Sequence, residues 1–337
     1  MNIALQAREI QPLRQTFGRV AAYTGDKPAS RYLEATLGVQ PTEHFHYRPT
    51  WEQGFEIYDT RRTAIVLEDW NVLRDPRQFY YASWTIARAR QQEAMEANYQ
   101  FVESRGLAQK MPGALREQAL RVLMPLRHVA WGGNMNNCDI CARGYGTPFT
   151  APAMFHAMDQ LGVAQYLTRL GLALHEPGTL EAGRNAWLDD PVWQPLRRLV
   201  EDTLVLKDPM ELFVAQNLAL DGQLYPLIFS HYVDDHLALR GAAAVAMLTS
   251  FIPEWHMESS RWVDAVVKTA SGESGHAEHN SALLTHWYLQ WADRATQALE
   301  PVALQAFGAQ ESDAHTQVLA QVRAGLDARV RKTGLAV

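Results

Sequence analysis

Apolar residues recur at helical spacing along most of this chain. From Leu115 they fall at Leu115, Ala119, Leu123, Leu126 and Ala130. Near the end Val318, Val322, Leu326 and Val330 repeat the pattern, and one apolar face per helical turn is the mark of an amphipathic helix. The periodicity predicts helices over 77–105, 114–138, 151–173, 192–206, 209–231, 238–270, 277–305 and 313–331, with ends good to about three residues. Breakers separate them: "MPGA" at 111–114, "GYGTPF" at 144–149, "HEPGT" at 175–179 and "DDP" at 189–191. No run alternates as a half-buried strand would, so the expected class is all-α.

The first seventy residues differ. "YTGDKPASRY" and "HFHYRPTWEQGFEIYD" carry proline, glycine and aromatics without helical period. A structureless loop of that length is uncommon inside a compact domain. The expectation is an extended N-terminal arm over 1–70, lying on its own helices or on a neighbour, and a helical domain over 71–337.

Composition narrows the function classes. The 337 residues are 47% hydrophobic and 20% charged, with a net charge of −6. That balance suits an ordinary globular protein and argues against a nucleic-acid binder, which needs a basic surface. The N-terminus has no apolar signal region. The longest apolar run, "GAAAVAML" at 241–248, is too short to cross a bilayer. A cytoplasmic protein with no membrane partner is the simplest expectation. Ten Trp, twelve Tyr and eleven Phe fit either a large core or extensive contact with partner chains, where aromatics are enriched.

Most motifs that could carry chemistry are absent or badly placed. There is no glycine-rich phosphate loop and no Gly-x-Ser-x-Gly elbow. Cys138 and Cys141 form a lone Cys-x-x-Cys; a zinc site needs two more ligands, and a redox site needs a βαβ setting. His231 and Asp235 in "HYVDDH" read as a polar helix end. Glu-x-x-His occurs twice, at Glu43–His46 and Glu273–His276. The first lies just before Pro49, which disfavours helix, and the second holds two glycines.

One pattern is more suggestive. A carboxylate di-iron bundle takes a Glu from each of two helices and Glu-x-x-His from each of two others. Here "RARQQEAMEANY" offers Glu93 and Glu96, with Glu where His is wanted. "PLRH" has Pro125 three residues before His128. "ELFVAQNLALDG" has Glu211 and Asp221 at its ends. "ESSRWVDA" has Glu258 followed at i+3 by Arg261. Proline cannot ligate a metal, and arginine does not shed its proton to become a ligand. An Arg261 inside the bundle, paired with Glu258 and with Glu93 or Glu96, would replace a missing cation's charge. An ordinary surface ion pair is the simpler account of Glu258 and Arg261.

At these residues the chain resembles the β subunit of the bacterial multicomponent phenol hydroxylases, within the phenol, toluene and methane di-iron monooxygenase family. The resemblance runs from about residue 12 to the C-terminus. It rests on "GDKPASRY" (25–32), "FHYRP" (45–49), "DPRQFYY" (75–81), "PLRH" (125–128), "NMNN" (134–137), "WLDDPVWQ" (187–194), "AQNLALDG" (215–222) and "SRWVDA" (260–265), taken in order. It implies a ferritin-like helical bundle with additional helices. It also implies a non-catalytic subunit, without cofactor of its own, in a hydroxylase that is a dimer of αβγ units. The α subunit would carry the di-iron site. A reductase with FAD and an iron–sulfur cluster would deliver electrons from NADH, and a small regulatory protein would dock on the hydroxylase. Phenols or methylphenols converted to catechols are the implied chemistry, in aromatic hydrocarbon catabolism. On this reading Glu93, Glu96, Pro125, His128, Glu258 and Arg261 are positions of a lost metal site. The competing reading is a self-sufficient di-iron carboxylate oxidase using Glu93, Glu96, His128, Glu211 or Asp221, and Glu258.

Overall fold

The structure is a computed structural model, and it describes residues 18–25, 27–43, 49–50, 52–174, 178–308 and 313–337. Every regular element among them is helical. Two short helices come first, α1 (Gly18–Thr24) and α2 (Arg31–Thr36). Then follow α3 (Tyr81–Ser104), α4 (Leu107–Lys110), α5 (Gly113–Leu123), α6 (Leu126–Arg143) and α7 (Thr147–Leu174). After them come α8 (Gly178–Asp189), α9 (Gln194–Thr203) and a long rod over 209–240 that contains α10 (Pro209–Phe213) and α11 (Asp221–Tyr225). The chain ends with α12 (Ala243–Thr249), α13 (Phe251–Ser271), α14 (Ala277–Phe307) and α15 (Ala314–Arg331). This is the all-α class that the periodicity predicts and the ferritin-like bundle with extra helices that the resemblance implies.

The predicted helix over 114–138 is two helices. Pro125 has no N–H to continue the ladder, so α5 ends at Leu123 and α6 starts at Leu126. The predicted helix over 238–270 also divides, near Ser250, into α12 and α13. Asn98 of α3 fills that break: its Nδ2 donates to the Met247 carbonyl (3.1 Å) and to Ser250 Oγ (3.2 Å). Helix α8 was not predicted at all. It lies between two breakers, and its apolar positions are few.

The rod has a clear start and stop. Asp208 caps it, accepting from Met210 N (2.8 Å) and Glu211 N (3.2 Å), and Pro209 occupies the first turn, where a missing N–H costs nothing. Within the rod, Val214–Leu220 and Pro226–Leu237 are wound as π-helix. Such stretches are rare and cluster at functional sites. The rod ends at Gly241, whose φ of 105° suits only glycine.

The stretch 64–70, before α3, lies along the chain's own helices. Its anchors are polar: Ala64 N donates to Asp208 Oδ2 (2.8 Å), and Asn280 of α14 exchanges two bonds with the Val66 backbone (3.1 and 2.8 Å). Trp70 packs on Tyr145 and Phe149, each 6.2 Å between ring centres. The expectation of no helix within the first seventy residues is corrected by α1 and, more clearly, by α2. Its Ser30 N-cap accepts from Leu33 N, a local signal that apolar periodicity does not register.

Helices α6 and α7 form an antiparallel hairpin. With the rod and α13 they enclose the bundle interior, and α14 packs on the outer side of the rod. Trp262, Phe213, Phe149 and Tyr232 are among the largest side chains with no solvent contact.

Candidate functional site

The four enclosing helices meet around polar side chains, not around an apolar plug. Helix α7 contributes His156 and Gln160, the rod Gln216, Asn217, Asp221 and Tyr225, and α6 Asn136 and Asn137; all are buried. Helical spacing puts His156 and Gln160 on one face, and Gln216 and Asp221 face inward from the first π stretch and the turn after it.

Asp221 is the hub. Its Oδ2 accepts from Gln160 Nε2 at 2.9 Å and lies 3.3 Å from His156 Nε2; its Oδ1 accepts from Gln216 Nε2 at 2.8 Å. Tyr225 OH donates to Gln160 Oε1 at 2.6 Å, and Asn136 Nδ2 to Gln216 Oε1 at 2.7 Å. Next to them Asn137 and Asn217 pair reciprocally through their amides, at 2.9 and 2.8 Å. Gly133 makes room for this arrangement, since a Cβ there would meet Gln160 Cδ at 2.9 Å. Burial pushes the Asp221 carboxyl above its ordinary pKa, opposed by the His156, Gln216 and Gln160 hydrogen bonds. Burial also keeps the Tyr225 phenol protonated, far above its usual range.

A ring of indoles closes the centre. The His156 ring stacks on Trp255 at 5.0 Å and lies 5.7 Å from Trp262. Beyond Trp255, one turn further along α7, is a second polar cluster. Asp159 accepts two bonds from Arg88 of α3, both 2.7 Å, and one from each of the Trp84 and Trp255 indoles, both 3.0 Å. Arg88 also donates to Glu258 at 2.8 Å. Burial works against the Arg88 charge, but the Asp159 and Glu258 carboxylates outweigh it and raise the pKa further. Arg77 lies beside this cluster, bidentate to buried Asp75 and 3.9 Å from Glu258. The turn that holds Asp75 and Arg77 closes with Gln78 N donating to the Asp75 carbonyl at 2.9 Å, and Gln78 has a φ of 54°. Left-handed backbone at a non-glycine costs about 1–2 kcal/mol.

The six positions named from the sequence do not converge. Glu93 is exposed on α3. Glu96 is exposed too and pairs with Arg169. Pro125 is the break before α6. His128 stacks on Trp187 at 5.8 Å; burial, with Arg127 and Arg184 near it, takes its pKa down to about 4. Arg261 is exposed and joins no ion pair among the described residues, so neither the surface pair with Glu258, the simpler expectation, nor the interior cation is found: Glu258 takes its cations from α3 and from the segment before it. The physical reason is the position of α3, which lies outside the enclosing set, while α7 takes the inner place. Glu211 accepts the Trp291 indole N–H (3.0 Å).

The remaining motifs fall where their simpler readings put them. Glu273 and His276 lie in a non-helical turn, and Glu273 caps the Glu68 N–H. His46 is outside the described residues. His231 and Asp235 are an exposed i, i+4 pair at 3.2 Å. Cys138 and Cys141 are free thiols, and burial raises both pKa values; a reactive thiol needs the opposite shift.

The missed residues are His156, Asp159 and Gln160. They stand in "AMFHAMDQLGV", an otherwise apolar helix, and buried polar side chains in such a run need partners; that was the available signal. The hydrogen-bonded centre supplies one imidazole and one carboxylate, and a second imidazole, His256, stacks on Tyr225 at 5.4 Å without bonding to it. A di-iron bundle uses four carboxylates and two imidazoles, so this donor set does not fit the metal pair. Among the described residues no three His, Cys, Asp or Glu side chains are grouped to hold a metal ion. No described helix is long and apolar enough to cross a membrane.

Known proteins share this architecture. The model of a family described as methane/phenol/alkene hydroxylase matches residues 51–274. The oxygenase component DmpL of phenol 2-monooxygenase from Pseudomonas sp. strain CF600 is 44% identical, covering 99% of this chain and 98% of the relative. The hydroxylase component subunit beta of the toluene-4-monooxygenase system from Ectopseudomonas mendocina is 24% identical, over 72% of this chain and 75% of the relative. The crystal structure of xenon-pressurized phenol hydroxylase from Pseudomonas sp. OX1 superposes with a TM-score of 0.90 at 39% identity, covering 99% of each chain.

Proposed function

The chain belongs to the methane, phenol and alkene hydroxylase family, and from that premise we propose that it is the non-catalytic β subunit of a phenol-type monooxygenase hydroxylase. Its work is structural. It holds the iron-bearing α subunits together in a dimer of αβγ units and helps to shape the surface on which the regulatory protein docks. NADH-derived electrons reach the α subunit's iron from a separate reductase, and nothing in this chain's own chemistry has to handle them. Residues 1–70 serve as an arm and 71–337 as the helical body.

One observation carries this reading. The Asp221 carboxylate, at the centre of the bundle, is occupied by amide donors from Gln160 and Gln216. Amides satisfy a buried carboxylate by hydrogen bonding, whereas iron ligation would need further carboxylates and a second imidazole facing it. The name of the toluene-4-monooxygenase relative, a β subunit, points the same way.

The test is metal analysis on this chain after separation from its partners, alongside phenol turnover by the separated chain. Iron well below one atom per chain and no turnover are the expected results. Two irons per chain, or full hydroxylase activity without the partner, would reject the proposal.

A further inference from the structure

Helices α3 and α7 and the corner between α12 and α13 leave a cleft of about 370 Å3 on the outer side of the bundle centre. Its floor is rigid. The Trp84 and Trp255 indoles are both fixed by their bonds to Asp159, and Trp84 also stacks on Phe155 at 5.5 Å. Tyr166 and Phe251, 4.7 Å apart between ring centres, and Met158 add apolar wall. At the rim Glu96 and Arg169 pair with each other, and the Arg169 guanidinium lies 3.9 Å over the Tyr99 ring.

Gly162 makes this cleft more than leftover space. It lies in the middle of α7 and lines the cleft, and a Cβ added there would meet nothing within 4 Å. Mid-helix glycine is destabilising relative to alanine, and no close neighbour requires it. A side chain longer than a methyl group at this place would enter the open volume.

The chemistry of the walls selects a ligand. Four aromatic side chains and a thioether favour a flat aromatic ring. The charges present are already paired: Asp159 has four donors, Arg88 has two carboxylates, and Glu96 has Arg169. No spare cation invites an acid, and no spare carboxylate invites an amine. Gln92 and Gln165 face the cleft with no hydrogen bond to described residues, and each offers a donor and an acceptor to a hydroxyl. An engineered apolar cavity of ~150 Å3 accepts benzene, so a substituted single ring fits. We propose that this cleft is a second binding site for a small neutral phenol, on the subunit away from the iron. The ligand class rests on the phenol-type reading above; the cleft and its selectivity for a neutral ring do not.

The test uses the assembled hydroxylase and phenol itself. Equilibrium dialysis of labelled phenol is expected to count about two bound molecules per αβγ unit in the wild type, falling to about one in Gly162→Phe, whose ring fills the cleft. Gly162→Ala leaves the space open and keeps the wild-type count. Equal counts for wild type and Gly162→Phe overturn the proposal. Should Gly162→Phe fail to assemble, wild-type crystals soaked in 4-bromophenol decide by anomalous scattering. Bromine in the cleft supports the site; bromine confined to the partner's active site overturns it. Either failure leaves the iron content of this chain untouched, so loss of this site and loss of the functional reading are separate results.

Discussion

Helix α7 carries two acidic clusters within one turn, and they solve the same problem differently. At its outer face Asp159 is neutralised by a full charge, the Arg88 guanidinium, which reaches on to Glu258. At its inner face His156 and Gln160 meet Asp221, which is surrounded by neutral amides and one imidazole. The outer cluster is an ion pair with one edge toward solvent. The inner one is a hydrogen-bond network with none. Removing a buried charge's counter-ion is expensive, whereas exchanging a carboxyl for an amide inside a row of amides that can turn over costs less. The two clusters should therefore respond oppositely to the same kind of substitution.

The largest effect should come from Arg88→Met. It leaves Asp159 buried with only two indole donors and should cost about 3 kcal/mol, read as a lower urea midpoint at fixed hydroxylase concentration. A midpoint within error of wild type would mean that the outer cluster is no more charged in effect than the inner one.

Next come the paired amide substitutions. Asp159→Asn keeps the shape but strips the Arg88 guanidinium of its bidentate partner, and should cost about 2 kcal/mol. Asp221→Asn also keeps the shape, at a carboxyl whose pKa burial already raises; its new N–H2 would face Gln216, and turning over the Gln216 and Asn136 amides restores donor to acceptor along the row. The substitution should cost ~1 kcal/mol or less. Equal losses for the two would erase the distinction between the clusters.

A smaller effect concerns pH. His256 of α13 stacks on Tyr225 at 5.4 Å, and its Nε2 is buried without a hydrogen-bond partner. Burial, then the charges of Arg329 and His156, take its pKa down to about 3. An unfolded histidine titrates near ~6.5. Between those values the unfolded chain binds a proton that the folded chain refuses. Stability is therefore full above about pH 6.5 and falls as the pH drops toward 3. From pH 7 to 5.5 the loss should be about 1 kcal/mol. His128, held down to about 4, adds a loss of the same sign over this range, so His256→Gln should roughly halve the slope there, and an unchanged slope in the variant would show that His256 carries none of it.

The contrast between these clusters also explains what could be read from sequence. Helix class and most helix positions followed from the 3.6-residue period, because long amphipathic faces are set by burial alone. Helix α8 escaped because punctuation on both sides outweighed a weak pattern. The two halves of 114–138 read as one helix in sequence because the apolar face runs on across Pro125, from Leu123 to Leu126. The site was harder. Glu93 and Glu96 drew attention because carboxylates are conspicuous, yet an exposed helix face is where carboxylates ordinarily belong. The inner helix carried its polar residues in the order His156-x-x-Asp159-Gln160, which matches no ligand motif. What marks these residues is burial, and burial is a property of the packed helices, visible in sequence only as polar letters in an apolar run.

Arg261 gives the smallest expected effect and the cleanest check on that lesson. Spacing on α13 puts it one turn after Glu258, where an interior cation could have compensated a lost metal. The structure turns it outward, and Glu258 is served instead by Arg88 at 2.8 Å, with Arg77 at 3.9 Å. Buried, Arg261 would cost about 3–5 kcal/mol to replace with methionine, since the carboxylates it served would stay behind unpaired. Exposed, it should cost less than about 0.5 kcal/mol, the usual range for a surface change away from special features. A thermal melt of Arg261→Met beside Arg88→Met separates the two cases. A drop as large as that of Arg88→Met would move the compensating cation back to α13 and make the outer cluster of α7 an accessory to it.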